Sequence, residues 1–213
     1  MSLNNKEEML SDIEAAVADD EGLRERVRGL VVRALTQRAL DPEGMREVMR
    51  LTLEGVGAGL ARRGTDAGGA LKEAVQGMDE AVARSVYAVQ MALEESWGST
   101  RRFAETDLKA TAEAVKGLEN DLLGTLRDSA AQSQGWLRNE LTSLSEHMGR
   151  AGTDTGMQVR GVMEKMNSRL LSASLGAMAD ARKDAVQLTS RLSEMASGIL
   201  RGMADVLDAQ FRK

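Results

Sequence analysis

Apolar side chains return every eleven residues along the middle of the chain. From Leu71 the series runs Leu71, Val82, Leu93, Ala104, Val115, Leu126, Leu137 and Met148, with no polar interruption. A second series, four residues on, reads Val75, Val86, Trp97, Leu108, Glu119, Ala130 and Leu141; a third, seven on, reads Met78, Val89, Thr100, Thr111, Leu122, Ser133 and Leu144. Eleven residues make three helical turns, so the three series share one face and draw a nearly straight stripe. The pattern predicts one very long amphipathic helix from Asp66 to about His147. About 80 residues at 1.5 Å each reach roughly 120 Å. Gly77, Gly98, Gly117, Gly124 and Gly135 oppose it, each by about 1 kcal/mol relative to alanine. Ser96-Trp97-Gly98-Ser99-Thr100 is the place to bend, but Leu93 and Ala104 stay in phase across it, which favours continuity.

The segment Gly149 to Gly156 is the clearest interruption, and Thr155 with Gln158 fits a reciprocal capping pair at a helix start. The chain is expected to reverse at 149–155. From about Gly156 to Phe211 the repeat resumes as Val159, Leu170, Ala181, Leu192, Met203 and as Met166, Ala177, Leu188, Ile199. The expected fold is therefore all-α: an elongated antiparallel hairpin of two very long helices over 65–213, with shorter N-terminal helices packed on one end. Its partner- or surface-facing stripe comprises Leu71, Val75, Val82, Val86, Leu93, Trp97, Leu108, Val115, Leu122, Leu126, Leu137, Leu141, Met166, Leu170, Leu188, Leu192 and Ile199. Glu119 interrupts that line and needs a base from a neighbouring helix or a solvent-reaching layer.

Residues 1–22 read as an acidic arm, with Asn4 or Asn5 as helix cap and Met9, Ile13 and Val17 as an apolar edge. Residues 23–64 read as an arginine-rich helical pair, with Leu23, Val27, Leu30, Val31, Ala34 and Leu35 on one inner face and Met45, Val48, Met49 and Leu53 on the other. Asp41-Pro42 marks the start of the second helix, since proline suits the first helical position. The arginines are expected to pair with the acidic arm, in the same chain or a second copy, rather than with nucleic acid. Gly55-Val56-Gly57-Ala58-Gly59 lacks the preceding strand and the Lys-Ser/Thr ending of a phosphate loop. Gly55 and Gly59 instead suit the close approach of another helix.

Composition narrows the function. Apolar residues make up 42% of the chain but aromatics 2%, so alanine, leucine, valine and 13 methionines must do the burying. There is no cysteine and one histidine, His147, which excludes disulfides, thiolate sites and the paired Glu-x-x-His motifs of di-metal bundles. No catalytic residue, metal or cofactor is expected, and the protein is read as non-enzymatic. The net charge of −5 does not suggest nucleic-acid binding. Neither a secretory signal nor an apolar window of about 20 residues is found, so a cytoplasmic protein is expected, associated at most with a granule or membrane surface. Trp97 lies on the apolar line; Trp136 and Phe103 lie at its flank, where helix packing and a membrane interface both suit an aromatic.

Over Leu71 to Met148 and Val159 to Phe211, the long proline-poor helices with eleven-residue apolar repeats resemble two families. One is the exchangeable apolipoproteins; the other is the bacterial phasins, helical proteins that cover polyhydroxyalkanoate granules. The chain departs from the apolipoproteins in lacking the prolines that punctuate their repeats, and it has no phasin-specific motif. The resemblance implies a protein whose helices pack in solution and open to coat a lipid or polymer surface. The alternative is an oligomeric coiled-coil structural or adaptor protein. Under either reading an exposed stripe calls for a dimer or larger self-assembly.

Overall fold

The computed structural model describes residues 3–18, 21–36, 42–62, 67–98, 105–174, 195–202 and 204. Among the described residues the secondary structure is helical throughout, as expected. The single long rod is not found. Its residues form α4 (Ala67–Gly98), α5 (Glu105–Lys116), α6 (Leu118–Gln132) and α7 (Gly135–Ala151). α4, with 32 residues, is the longest of the described helices.

The joints differ in kind. At Gly117 the backbone stays helical (φ −75°, ψ −20°). The Gly117 N–H donates to the Glu113 carbonyl and the Asp121 N–H to the Gly117 carbonyl, so α5 and α6 are nearly one helix. At Ser133 and Gln134 the backbone is extended, and Gly135 has φ +58°, a conformation glycine adopts without strain. There the chain folds back, and α7 lies along α6. Arg138 holds this tip together by donating to the carbonyls of Ala130, Ala131 and Ser133, the first of which also accepts the Ser133 N–H that ends α6. Folding back lets one piece of the stripe cover another, which a lone rod cannot do.

A turn is present at 149–155, where α7 ends at Ala151, Gly152 has φ +90° and α8 (Asp154–Ser174) begins two residues later, but the expected reversal is not. Both α7 and α8 follow α4 in the same direction, with Gly68 against Glu140, Asp79 against Thr155 and Glu94 against Lys165, because the chain has already folded back at Ser133 to Gly135. α8 packs on α4, α5 and α6, because α7 is already folded onto α6. Asp154 and Thr155 meet Asp79, Gln158 donates to Gln90 (3.3 Å), and Lys165 donates to Glu94 (2.5 Å). The two-helix antiparallel hairpin is thus replaced by a layered bundle. Residues 175–194, which include Leu188 and Leu192, lie outside the described residues; 195–202 are helical and bury Ala196 and Leu200.

The first 60 residues form α1 (Leu3–Val17), α2 (Leu23–Thr36) and α3 (Pro42–Leu60). Pro42 opens α3 as its pattern predicts, whereas α1 starts at Leu3, so Asn4 and Asn5 are already inside the helix. The close approach expected at Gly55 and Gly59 is found: a Cβ at Gly55 would lie 2.9 Å from that of Ile13, and one at Gly59 3.0 Å from that of Val17. Rather than a free arm, α1 is part of the core, with Met9, Ile13 and Val17 buried in the same apolar cluster as α2 to α8.

The arginines are largely taken up within the chain, although the acidic segment supplies only part of their partners. Arg62 pairs with Glu14 at 2.8 Å. Arg24 and Arg28 pair instead with Glu80 of α4, Arg46 with Asp121, and Arg50 with Glu47 and Glu54. Hydrogen bonds from Arg50 and Lys6 hold the Glu47 carboxyl down at about 2.

Candidate functional site

The stripe lies inside the molecule. Leu71, Val75, Val82, Val86, Leu93, Val115, Leu122, Leu126, Leu141 and Met166 are buried, and Leu137 and Ile199 pack half-buried against the same cluster. The side chains of Trp97, Leu108 and Leu170 lie outside the described residues. Leu93 in α4 keeps the eleven-residue phase with Val115 in α5 and Leu126 in α6, although α4 is separate from the nearly continuous α5 and α6. Each helix of a bundle needs an apolar face of its own; a common phase between consecutive helices is an additional property.

The start of α8 is a polar joint within this apolar interior. Its cap is Thr153, whose hydroxyl accepts the Gly156 N–H at 2.8 Å and donates to Glu119 of α6 at 3.0 Å. The N–H groups of Asp154 and Thr155 donate to the two carboxylate oxygens of Asp79 at 2.8 and 3.0 Å. The Thr155 hydroxyl donates to the Asp79 carbonyl at 3.2 Å. Three amides that a helix start leaves unpaired are thereby satisfied, two of them by a carboxylate from α4. The capping pair expected from Thr155 and Gln158 is therefore not made. The cap lies two residues earlier, Thr155 turns to α4, and Gln158 bonds Gln90. Of the two expectations for Glu119, a base is not found but a solvent-reaching layer is: the residue is half-buried and met by the Thr153 hydroxyl, and Gly156 is packed so closely on its carboxylate that a side chain there would overlap it.

Asp79 is 5% exposed. Burial pushes its carboxyl above the usual range, and the like charge of Asp154 adds to this; the hydrogen bonds from Thr155 and Asp154 oppose both. Its neighbour Glu80 shows the opposite outcome. Burial pushes it up, but hydrogen bonds from Arg28 and Arg24 outweigh that and hold it below its ordinary value. Sequence reading singled out Glu119 and passed over Asp79. The available signal was its position, four residues after Val75 and three before Val82, beside the apolar line.

Two surface features complete the picture. Trp136, in the first turn of α7, is 41% exposed, so the helix-packing role open to it is at best partial. It belongs to Ser129–Leu137, nine residues without a charge in a chain that is 29% charged. His147 is exposed near the end of α7. Among the described residues no cluster of three His, Cys, Asp or Glu side chains is placed to hold a metal, and no helix is long and apolar enough to cross a membrane.

No curated protein and no solved structure matches the chain. The model of a family of unknown function, DUF6781, matches residues 1–209. A match over nearly the whole of its 213 residues means that the chain belongs to the DUF6781 family.

Proposed function

We propose that this protein is a non-enzymatic surface-coating protein: it stores its apolar stripe as a closed bundle and lays it on a lipid or polymer surface when α6 to α8 swing away from α4. The observation that carries this reading is the shared phase of Leu93 in α4 with Val115 and Leu126 on the nearly continuous α5 and α6, all three buried. A closed bundle makes no use of that continuity, whereas helices realigned on a flat apolar surface would present one unbroken line. The joints support the same reading. Gly117, Ser133 to Gly135 and Gly152 let the pieces realign while each helix keeps its own hydrogen bonds. Self-association loses its main argument, because a stripe covered within one chain no longer demands a second copy.

The tip carrying Trp136 suits first contact, since an indole settles at a boundary between water and an apolar phase. Flotation with vesicles or hydrophobic granules tests the proposal. The protein is expected to rise with them, and Trp136→Ser to weaken binding roughly tenfold, as loss of a buried aromatic side chain would. Protein that stays at the bottom of the gradient at every salt concentration overturns the coating function.

A further inference from the structure

Arg84 stands one helical turn after Glu80 on α4, half-buried on the side where α2 meets that helix. Among the described residues no hydrogen bond or ion pair engages it. Across the helix pair is Arg28, whose side chain is 14% exposed and whose Nη1 donates to Glu80 at 2.6 Å. The Nε of Arg28 is buried and, among the described residues, has no acceptor. A buried donor in that state is uncommon, because it has lost water and gained nothing in return.

Charge points the same way as geometry. Three guanidinium groups, those of Arg24, Arg28 and Arg84, gather around the single carboxylate of Glu80, which Arg24 and Arg28 already bracket. The further acids that act on this group, Glu73 and Asp154, act on Arg24. Excess positive charge therefore collects at the Arg28 and Arg84 end. Burial, and then the like charge of Arg28, hold the Arg84 guanidinium below its ordinary value, with Glu80 opposing both. Tyr87, three residues on along α4, is 41% exposed, so this face of the helix is open to water beside Arg84.

We propose that Arg84 and the free Nε side of Arg28 form a binding site for a phosphate oxyanion, either a soluble phosphate ester or the headgroup of an anionic lipid. A planar carboxylate is filled by one arginine fork, whereas a tetrahedral phosphate offers oxygens to two forks that approach from different helices. Its charge of about −2 also matches two unbalanced cations better than a single carboxylate does. The site belongs to α2 and α4, which the proposed opening leaves together, so it does not depend on the coating reading.

Thermal unfolding of the full chain in chloride, with inorganic phosphate added at constant ionic strength, tests this, because a ligand held by the folded state raises the midpoint. Low millimolar phosphate is expected to raise the midpoint of the unaltered protein and to bind roughly tenfold more weakly to Arg84→Gln, as loss of charge-assisted hydrogen bonds implies. Arg84→Lys keeps the charge without the fork and should fall between the two. Arg160→Gln removes the same charge from an exposed position on α8 and should respond as the unaltered protein does. Flotation with phosphatidylcholine vesicles, with and without phosphatidic acid, separates the sources. A preference for phosphatidic acid that Arg84→Gln loses identifies a headgroup, and a phosphate response without that preference identifies a soluble ester. If phosphate leaves the midpoint of the unaltered protein in place, or shifts it alike in every variant, the site is refuted. Phosphate binding in a protein that never floats refutes coating alone, and a floating protein that ignores phosphate refutes the site alone.

Discussion

Gly77→Ala is expected to lower the unfolding free energy by about 2 kcal/mol, although alanine is the better helix former. Gly77 is inside α4, where α2 crosses, and a Cβ there would overlap the carbonyl oxygen of Arg24 and press on the backbone of Arg28. Alanine gains about 1 kcal/mol in helix propensity. Forcing an atom into a packed contact typically costs 1–3 kcal/mol, and the upper end applies because backbone cannot rotate aside. The same shift would disturb the Arg24 and Arg28 pairs with Glu80. Gly124→Ala is the control, since nothing lies within 4 Å of its added carbon; it should gain up to about 1 kcal/mol. Urea unfolding of both variants checks the pair. Equal stabilisation at the two positions would show that α2 does not press on α4.

Leu126→Ala carries the other large effect, a loss of about 3 kcal/mol. Leu126 is fully buried where α6 meets the core, and truncating such a leucine removes its transfer free energy and leaves a cavity, together worth roughly 2–5 kcal/mol. Met157→Ala, at a residue 64% exposed, should stay within about 0.5 kcal/mol. The contrast decides whether the stripe is stored inside the molecule or displayed on a rod. On an exposed rod both substitutions would be nearly silent in the monomer.

Local pattern carried much of the fold and less of its arrangement. Leu71, Val82, Leu93 and Leu126 are on the buried face that their spacing implies, and Pro42, Gly55 and Gly59 do what their chemistry suggests. The extended rod was misread because a straight helix and a folded-back one share the same phase. The choice between them lies in the extra burial gained when the pieces meet, which no local window contains. The fold-back at Ser133 to Gly135 depends on Arg138 closing three carbonyls, a contact made across the tip. Asp79 was illegible for a related reason. Its partners Asp154 and Thr155 stand 75 and 76 residues away, and an aspartate on a helix flank looks solvated until the element that covers it is known. Glu119 stood out because it breaks an apolar series, yet the group that meets it is the cap of another helix.

The most direct test of opening is to forbid it. Glu94 and Lys165 face each other across α4 and α8 with 2.5 Å between their charged atoms, and the chain has no cysteine of its own. Glu94→Cys with Lys165→Cys, joined by a short bis-maleimide, would tie the two helices while leaving the stripe and the Trp136 tip untouched. The account predicts that the joined protein stays at the bottom of a flotation gradient while the same protein left unjoined rises with the vesicles. If the joined and unjoined proteins float alike, the bundle need not open, and storage of the stripe for a surface is contradicted.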